Sequence, residues 1–188
     1  MRPYLNEKAL FYRIQKGDTD AFGELYDFYS EKLYRFLYLK LPTAHDAEDI
    51  TADSFLRTWQ YLREGKQVTS MQAFLYQTAR NLVVDFYRKR GGITVEPLDD
   101  YEVVIADRVD LTLEEKMALK GDMASIEEGL RKIKDSFREV IVLHYLNELS
   151  IKEISRIVGK SSGATRVMLH RGIKTLKTVL SESVVSSR

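Results

Sequence analysis

From Phe22 onward the apolar positions recur at intervals of three and four: Phe22, Leu25, Tyr26, Tyr29, Leu33, Phe36 and Leu37. That interval lines them along one side of an α-helix, as a stripe that other helices must cover. Pro42 ends the pattern, since proline lacks the backbone N–H that continues a helix. Thr43 and Asp46 then stand at the spacing of a capping pair. The helix they open directs Ala47, Thr51, Phe55, Thr58, Trp59 and Leu62 inward. After "REGKQVTS" the period resumes. Ser70 caps a helix expected to start at 71 and run to 90, with Leu75, Thr78, Ala79, Leu82 and Phe86 on its inner side. With one further helix before Phe22, these form a first domain over residues 1–90.

Gly91 and Gly92 interrupt the period, and residues 91–111 are acidic, contain Pro97 and carry no helical repeat, as a linker would. Thr112 with Glu115, Ser136 with Glu139, and Ser150 with Glu153 repeat the capping spacing, which predicts a second domain of short helices over 112–180. The ending 181–188 is expected to fray. Apolar runs of period two are nearly absent. The expected fold class is therefore all-α, with two small helical domains joined by an acidic linker.

Charge sharpens the division. The net charge is +1, yet residues 91–130 hold 11 acidic and 3 basic side chains, and residues 131–180 hold 11 basic and 4 acidic. A basic C-terminal block is the electrostatic footprint of a nucleic-acid partner. The acidic middle fits either plain solvation or a partner-directed connector. No apolar run approaches the roughly 20 residues of a membrane span, and the N-terminal "MRPYLNEKAL" lacks the apolar core of a secretion signal. A cytoplasmic chain without membrane insertion is expected. The sequence contains no cysteine and only His45, His144 and His170 as soft ligands, which read as surface or packing residues, so neither a metal site nor a cofactor is expected. No phosphate-binding loop or paired catalytic motif is present, and no enzymatic activity is expected.

Three segments carry candidate chemistry. "SIKEISRIVGKSSGATRVMLHRGIKTLKTVL" reads as a short helix with Ile151, Ile154, Ile157 and Val158 inward, a break at Gly159, and a longer helix buried along Thr165, Leu169, Ile173, Leu176 and Leu180. That is a helix-turn-helix. Its second helix sets Arg166, His170, Lys174 and Lys177 on the opposite face, fit for phosphates or for plain solvation, and its start, Ser161–Arg166, is the part this motif inserts into a major groove. The helix "MQAFLYQTARNLVVDFYRKR" leaves Tyr76, Gln77, Arg80, Asn81, Val84, Tyr87 and Arg88 outward, a mixture suited to unpaired bases, which aromatic rings stack for about 1–3 kcal/mol each. It also fits an ordinary basic surface.

In "DAEDITADSF", Asp46, Asp49 and Asp53 recur as one negative stripe that would repel DNA. Asp46, Glu48 and Asp49 favour the start of a helix dipole, but Asp53 lies too far along. Ile50, Leu56, Arg57 and Gln60 are expected beside them, giving an acid-and-apolar face suited to a basic protein partner.

Four segments, in order, resemble those of the sigma-70 family of bacterial RNA polymerase initiation factors, in its compact extracytoplasmic-function (ECF) group. "GDTDAFGELYDFY" resembles the opening of the family's region 2, and "DAEDITADSFLRTW" its DAED-x-x-Q-x-x-F-x-x-W segment. "FLYQTARNLVVDFYRKR" is similar to its W-L-x-x-I-A-R-N-x-x-x-D-x-x-R helix, and "GATRVMLHRGIKTL" to its region 4 motif G-T-V-K-S-R-L-H-R-A-R-K-x-L. The family's glutamine after DAED is Thr51 or Ala52 here, its helix-opening tryptophan is Phe74, and the region 4 threonine and serine are Ala164 and Val167. These departures bear on promoter sequence rather than on class.

The resemblance implies a factor that directs core RNA polymerase to promoters and assists strand opening. It implies that the DAED helix docks on the polymerase β′ clamp helices through Asp46, Glu48, Asp49, Ile50, Asp53, Leu56 and Arg57, with the β flap as a second polymerase contact. It further implies that Tyr76, Gln77, Arg80, Asn81, Asp85, Tyr87 and Arg88 meet the -10 element, and that Lys160, Ser161, Ser162, Ala164, Arg166, Val167, His170 and Arg171 meet the -35 element. Many members are held inactive by an anti-sigma factor, which the resemblance admits as a third partner beside core polymerase and promoter DNA. The 21 linker residues from Gly91 to Leu111 reach at most roughly 70 Å, about two duplex turns, so one molecule could hold both elements. The residues by themselves also allow a stand-alone helix-turn-helix regulator whose first domain senses or dimerises.

Overall fold

The computed structural model describes residues 7–91 and 123–186, helices joined by turns and short irregular segments, with no strand among them. The chain divides into two compact units between Pro97 and Leu98.

The first unit packs four helices: α1 (Glu7–Gln15), α2 (Thr19–Tyr38), α3 (Ala44–Arg63) and α4 (Met71–Lys89). Each of the last three starts on a side chain that accepts an otherwise unpaired N–H. Asp18 accepts from Asp20 N at 3.0 Å and Ala21 N at 3.1 Å, Thr43 from Asp46 N at 3.0 Å, and Ser70 from Ala73 N at 3.2 Å. Asp18 has a second task. It and Glu24 accept from Arg13 at 2.7 and 2.8 Å, which ties α1 to the start of α2. The Ala21 N–H and then the Arg13 guanidinium hold the Asp18 carboxyl below the usual carboxylate range.

The core is built from Ile14 of α1, Leu25, Leu33, Phe36 and Leu37 of α2, Phe55 and Leu62 of α3, and Leu75 and Ala79 of α4. Inward positions on α3 also include Thr51, Ser54 and Thr58. Each hydroxyl donates to the carbonyl four residues back, at 2.7, 2.6 and 2.7 Å, so these small side chains bring neighbouring helices close without an unmet polar group.

Among the described residues, the second unit holds α5 (Met123–Lys132), α6 (Asp135–Ile141), a π-helical turn (Val142–Leu146), α7 (Ile151–Val158) and α8 (Ser162–Ser186), the last packed against α5, α6 and α7. Ser150 and Glu153 form a reciprocal cap, with Glu153 N donating to Ser150 Oγ at 3.3 Å and Ser150 N to Glu153 Oε2 at 2.9 Å. Gly159, at φ 68°, takes the left-handed conformation that ends α7 and turns the chain into α8.

One local expectation fails. Ser136 caps nothing: α6 starts one residue earlier, at Asp135, so Ser136 lies inside the helix with its hydroxyl buried and unpartnered, and Glu139 is buried. The final helix extends through Ser186. The capping pair Thr112–Glu115 and the linker beyond Gly91 lie outside the described residues.

Candidate functional site

The outward side of α3 carries Glu48, Asp49, Asp53, Leu56, Arg57 and Gln60, all exposed. Leu56 is 53% exposed, a large apolar side chain in water beside three carboxylates. The exposed His45 ring lies 3.6 Å from the Asp49 carboxylate. Around the flank towards α2, the exposed Tyr26 ring rests 4.6 Å from Phe55, Phe22 packs 4.8 Å from Trp59, and the Arg63 guanidinium lies 5.7 Å from the Trp59 ring. An acidic ridge thus runs beside an aromatic flank. The spacing places Tyr26 on the inner stripe, yet its ring is exposed and covers Phe55.

Two residues expected in this ridge are not part of its surface. Ile50 is buried at 6% exposure, because it falls three residues after Ala47 and four before Ser54, within the inner stripe. Asp46 is drawn inward, its side chain 14% exposed. Thr43 Oγ1 donates to its Oδ2 at 2.6 Å and Arg90 Nη2 to its Oδ1 at 3.3 Å.

On α4 the outward face is narrower and less aromatic than the spacing predicts. Tyr76 is fully buried, its ring edge-on to Phe36 at 5.3 Å. Burial pushes its hydroxyl pKa well up, and the hydroxyl has no hydrogen-bond partner. It belongs to the core of the unit and not to the outward face expected for it. Tyr87 is half-buried, and its hydroxyl donates to the Lys40 carbonyl at 2.7 Å, which holds the ring in place. Gln77, Asn81 and Arg88 remain exposed, with Arg80, Val84 and Asp85 half-exposed beside them. Arg88 pairs with Asp85 at 2.9 Å.

The aromatic surface lies instead where α3 ends and α4 begins. Tyr61 and Phe74, both half-exposed, tilt together with ring centroids 4.5 Å apart, and the Lys66 ammonium stands 5.0 Å from the Tyr61 ring. Lys66 is ion-paired with Glu64, whose hydrogen bond raises the lysine pKa. Sequence reasoning missed this pair because its rings sit on different helices and share no period. The one signal was Phe74, an aromatic residue at the start of a basic helix.

In the second unit, Ser161 Oγ accepts from Ala164 N at 3.1 Å and so caps the start of α8. Ser161, His170 and Arg171 are exposed, and Lys160, Ser162, Ala164 and Arg166 half-exposed. His170, Lys174 and Lys177 continue the outward face that Arg166 begins. Val167 is buried at 8%, since α8 is covered by three helices and its inner arc is wide. It lies on the inner side of the helix rather than on the outward face expected for it. Among the described residues no cluster of His, Asp and Glu could hold a metal, and no helix is long and apolar enough to cross a membrane.

Comparison with known proteins agrees with this arrangement. Residues 25–93 match the family described as Sigma-70 region 2, and residues 125–176 the one described as Sigma-70, region 4. The chain is 32% identical over 177 residues to the ECF RNA polymerase sigma factor SigW of Bacillus subtilis (strain 168), which covers 89% of this chain and 93% of that one. It is 28% identical over 166 residues to the ECF RNA polymerase sigma factor SigM of the same organism, covering 86% and 96%. Among solved structures, it is similar to CnrH in complex with the cytosolic domain of CnrY, at a TM-score of 0.67 and 21% identity over 93% of this chain and 96% of that one. It is also similar to the sigma factor RpoE in complex with the anti-sigma factor NepR from Bartonella quintana, at 0.64 and 20% over 85% and 96%. At such identities the structures speak for the fold. The sequence relatives and the two matched regions speak for the family: this chain belongs to the sigma-70 family, in its ECF group, and is a sigma factor that directs RNA polymerase to promoters.

Proposed function

We propose that the work of this sigma factor is divided among three surfaces. The exposed ridge of α3, Glu48, Asp49 and Asp53 with Leu56 and Arg57, docks on the basic clamp helices of the polymerase β′ subunit. Charged contacts of this kind set orientation and encounter rate more than raw affinity. The outer face of α4, with Gln77, Arg80, Asn81 and Arg88, meets the -10 element. The Tyr61–Phe74 pair supplies the stacking surface that captures an extruded base and so offsets the cost of local melting. The start of α8, with Ser161, Ser162, Ala164, Arg166, His170 and Arg171, reads the -35 element while the second unit rests on the β flap. Residues 91–111 tether the two units and raise the effective concentration of each once the other is bound.

The chain catalyses nothing itself in this reading. It is further bound by an anti-sigma factor of its own, a reading supported by the complex in which the structurally similar RpoE is held by NepR.

One observation carries the division of labour: on α3 three carboxylates and a leucine face solvent together, although phosphate binding has no use for them. The test is transcription from a random promoter library with purified core polymerase. Initiation at a defined two-part promoter class is expected only when the chain is added. Absence of both core binding and directed initiation would overturn the proposal.

A further inference from the structure

The end of α4 carries three cations in a row, Arg88, Lys89 and Arg90, where the helix carbonyls create a partial negative charge. Phosphate can be held there only through those side chains. Two of the three are engaged by carboxylates of the same unit. Arg88 Nη2 donates to Asp85 Oδ1 at 2.9 Å, and Arg90 Nη2 donates across to Asp46 Oδ1 of α3 at 3.3 Å.

The backbone around them is held firmly. Tyr87 is bonded to the Lys40 carbonyl, and the Arg90 guanidinium lies 4.2 Å from the Phe86 ring. The two arginine side chains nevertheless face water, 75% and 57% exposed. Each pair uses one nitrogen and one oxygen, and a single-contact pair whose guanidinium stays in water contributes little, although the Asp46 carboxylate is itself largely covered. A guanidinium on a phosphate can be bidentate and charge-assisted. Exchange of carboxylate for phosphate therefore costs little.

We propose that Arg90 is a DNA-phosphate contact of this chain alongside Arg88, and that Asp46 and Asp85 are intramolecular stand-ins for phosphate that occupy the two guanidiniums until DNA displaces them. The inference rests on the reading of α4 as a DNA-facing helix. It gives Asp46 a task inside the unit, in keeping with the inward turn of its side chain and its bond from Thr43. The same carboxylates lower the hold of the free factor on DNA, because each phosphate contact must first break an internal pair.

The test is binding of the purified full chain to labelled single-stranded and duplex oligonucleotides of random sequence over a salt titration. The variants are Asp46→Asn, Asp85→Asn, Arg88→Ala, Arg90→Ala and the double change Asp46→Asn with Arg90→Ala. Asp27→Asn, at an exposed position of α2, removes the same charge as a control. Asp46→Asn and Asp85→Asn should each tighten binding about two- to fivefold and steepen the salt dependence by up to about 0.7–0.9 in log–log slope, the value of one additional phosphate contact. Arg90→Ala should weaken binding by a similar factor, and adding Asp46→Asn to it should recover nothing.

Weakening by Arg90→Ala with no gain from either aspartate change would overturn the stand-in role and leave the reading of α4 intact. No effect of Arg88→Ala or Arg90→Ala would overturn that reading itself. A gain from Asp46→Asn that survives Arg90→Ala, or that Asp27→Asn matches, would reduce the effect to net charge and likewise overturn the proposal. Asp46→Asn also perturbs the bond from Thr43 and should lower the unfolding temperature. Asp85→Asn leaves that cap untouched, so the test does not hang on one variant.

Discussion

Glu148 occupies a left-handed backbone position, φ 58°, the only non-glycine residue among those described to do so. It follows the π-helical turn, whose carbonyls are met by Asn147 N on Val142 O at 3.1 Å and Leu149 N on Leu143 O at 3.0 Å. His144 Nδ1 donates to Leu149 O at 2.9 Å. The turn is well bonded, so the strain falls on the backbone of one exposed residue. A left-handed L-residue costs roughly 1–2 kcal/mol, part of which glycine returns as unfolded-state entropy. Glu148→Gly should therefore stabilise by roughly 0.5–1 kcal/mol, read as a rise of about 2–6 °C in the unfolding midpoint; an unchanged or lower midpoint would show that the side chain holds the turn. Individual residues were also where the sequence was hardest to read. Ile50, Tyr76 and Val167 stand next to charged or polar neighbours and look exposed, yet Ile50 continues the period of Ala47 and Ser54, and Tyr76 that of Ala79 and Val83. The signal was present, but how wide an arc is buried depends on how many helices cover it.

Helix starts were the most legible elements. Thr43, Ser70 and Ser150 each cap as their spacing implies, since a hydroxyl placed just before an apolar period has one N–H within reach. Ser136 failed because a start without any side-chain cap leaves no mark. Nor does the π-helical turn, whose residues continue the apolar pattern. Close helix crossings were equally hidden: a Cβ on Gly172 of α8 would lie 3.1 Å from Phe137 Cβ and from Ile141 Cδ1 of α6, whereas one on Gly23 of α2 would meet nothing within 4 Å. Two glycines inside long helices thus have opposite meanings. Gly172→Val should destabilise by about 1–3 kcal/mol through overpacking, while Gly23→Ala should stabilise by roughly 0.5–1 kcal/mol. Urea midpoints for the two variants check the contrast, and shifts of the same sign would contradict it.

At the scale of the whole molecule, the all-α class, the order of the helices and the opposed charges of successive segments were legible, because each follows from period and composition. The acidic ridge was legible in its outer members and not in Asp46, whose partner Arg90 lies at the far end of another helix. The Tyr61–Phe74 surface required the fold. The account as a whole depends on the ridge serving polymerase and the cationic surfaces serving DNA. The most direct measurement is the affinity of the full chain carrying Asp49→Lys and Asp53→Lys for core polymerase, beside its affinity for a duplex bearing the -35 element. The expected result is a loss of at least about tenfold in core binding, some 1.4 kcal/mol, with duplex binding as tight as before or tighter. Unchanged core binding, or equal losses on both partners, would contradict it.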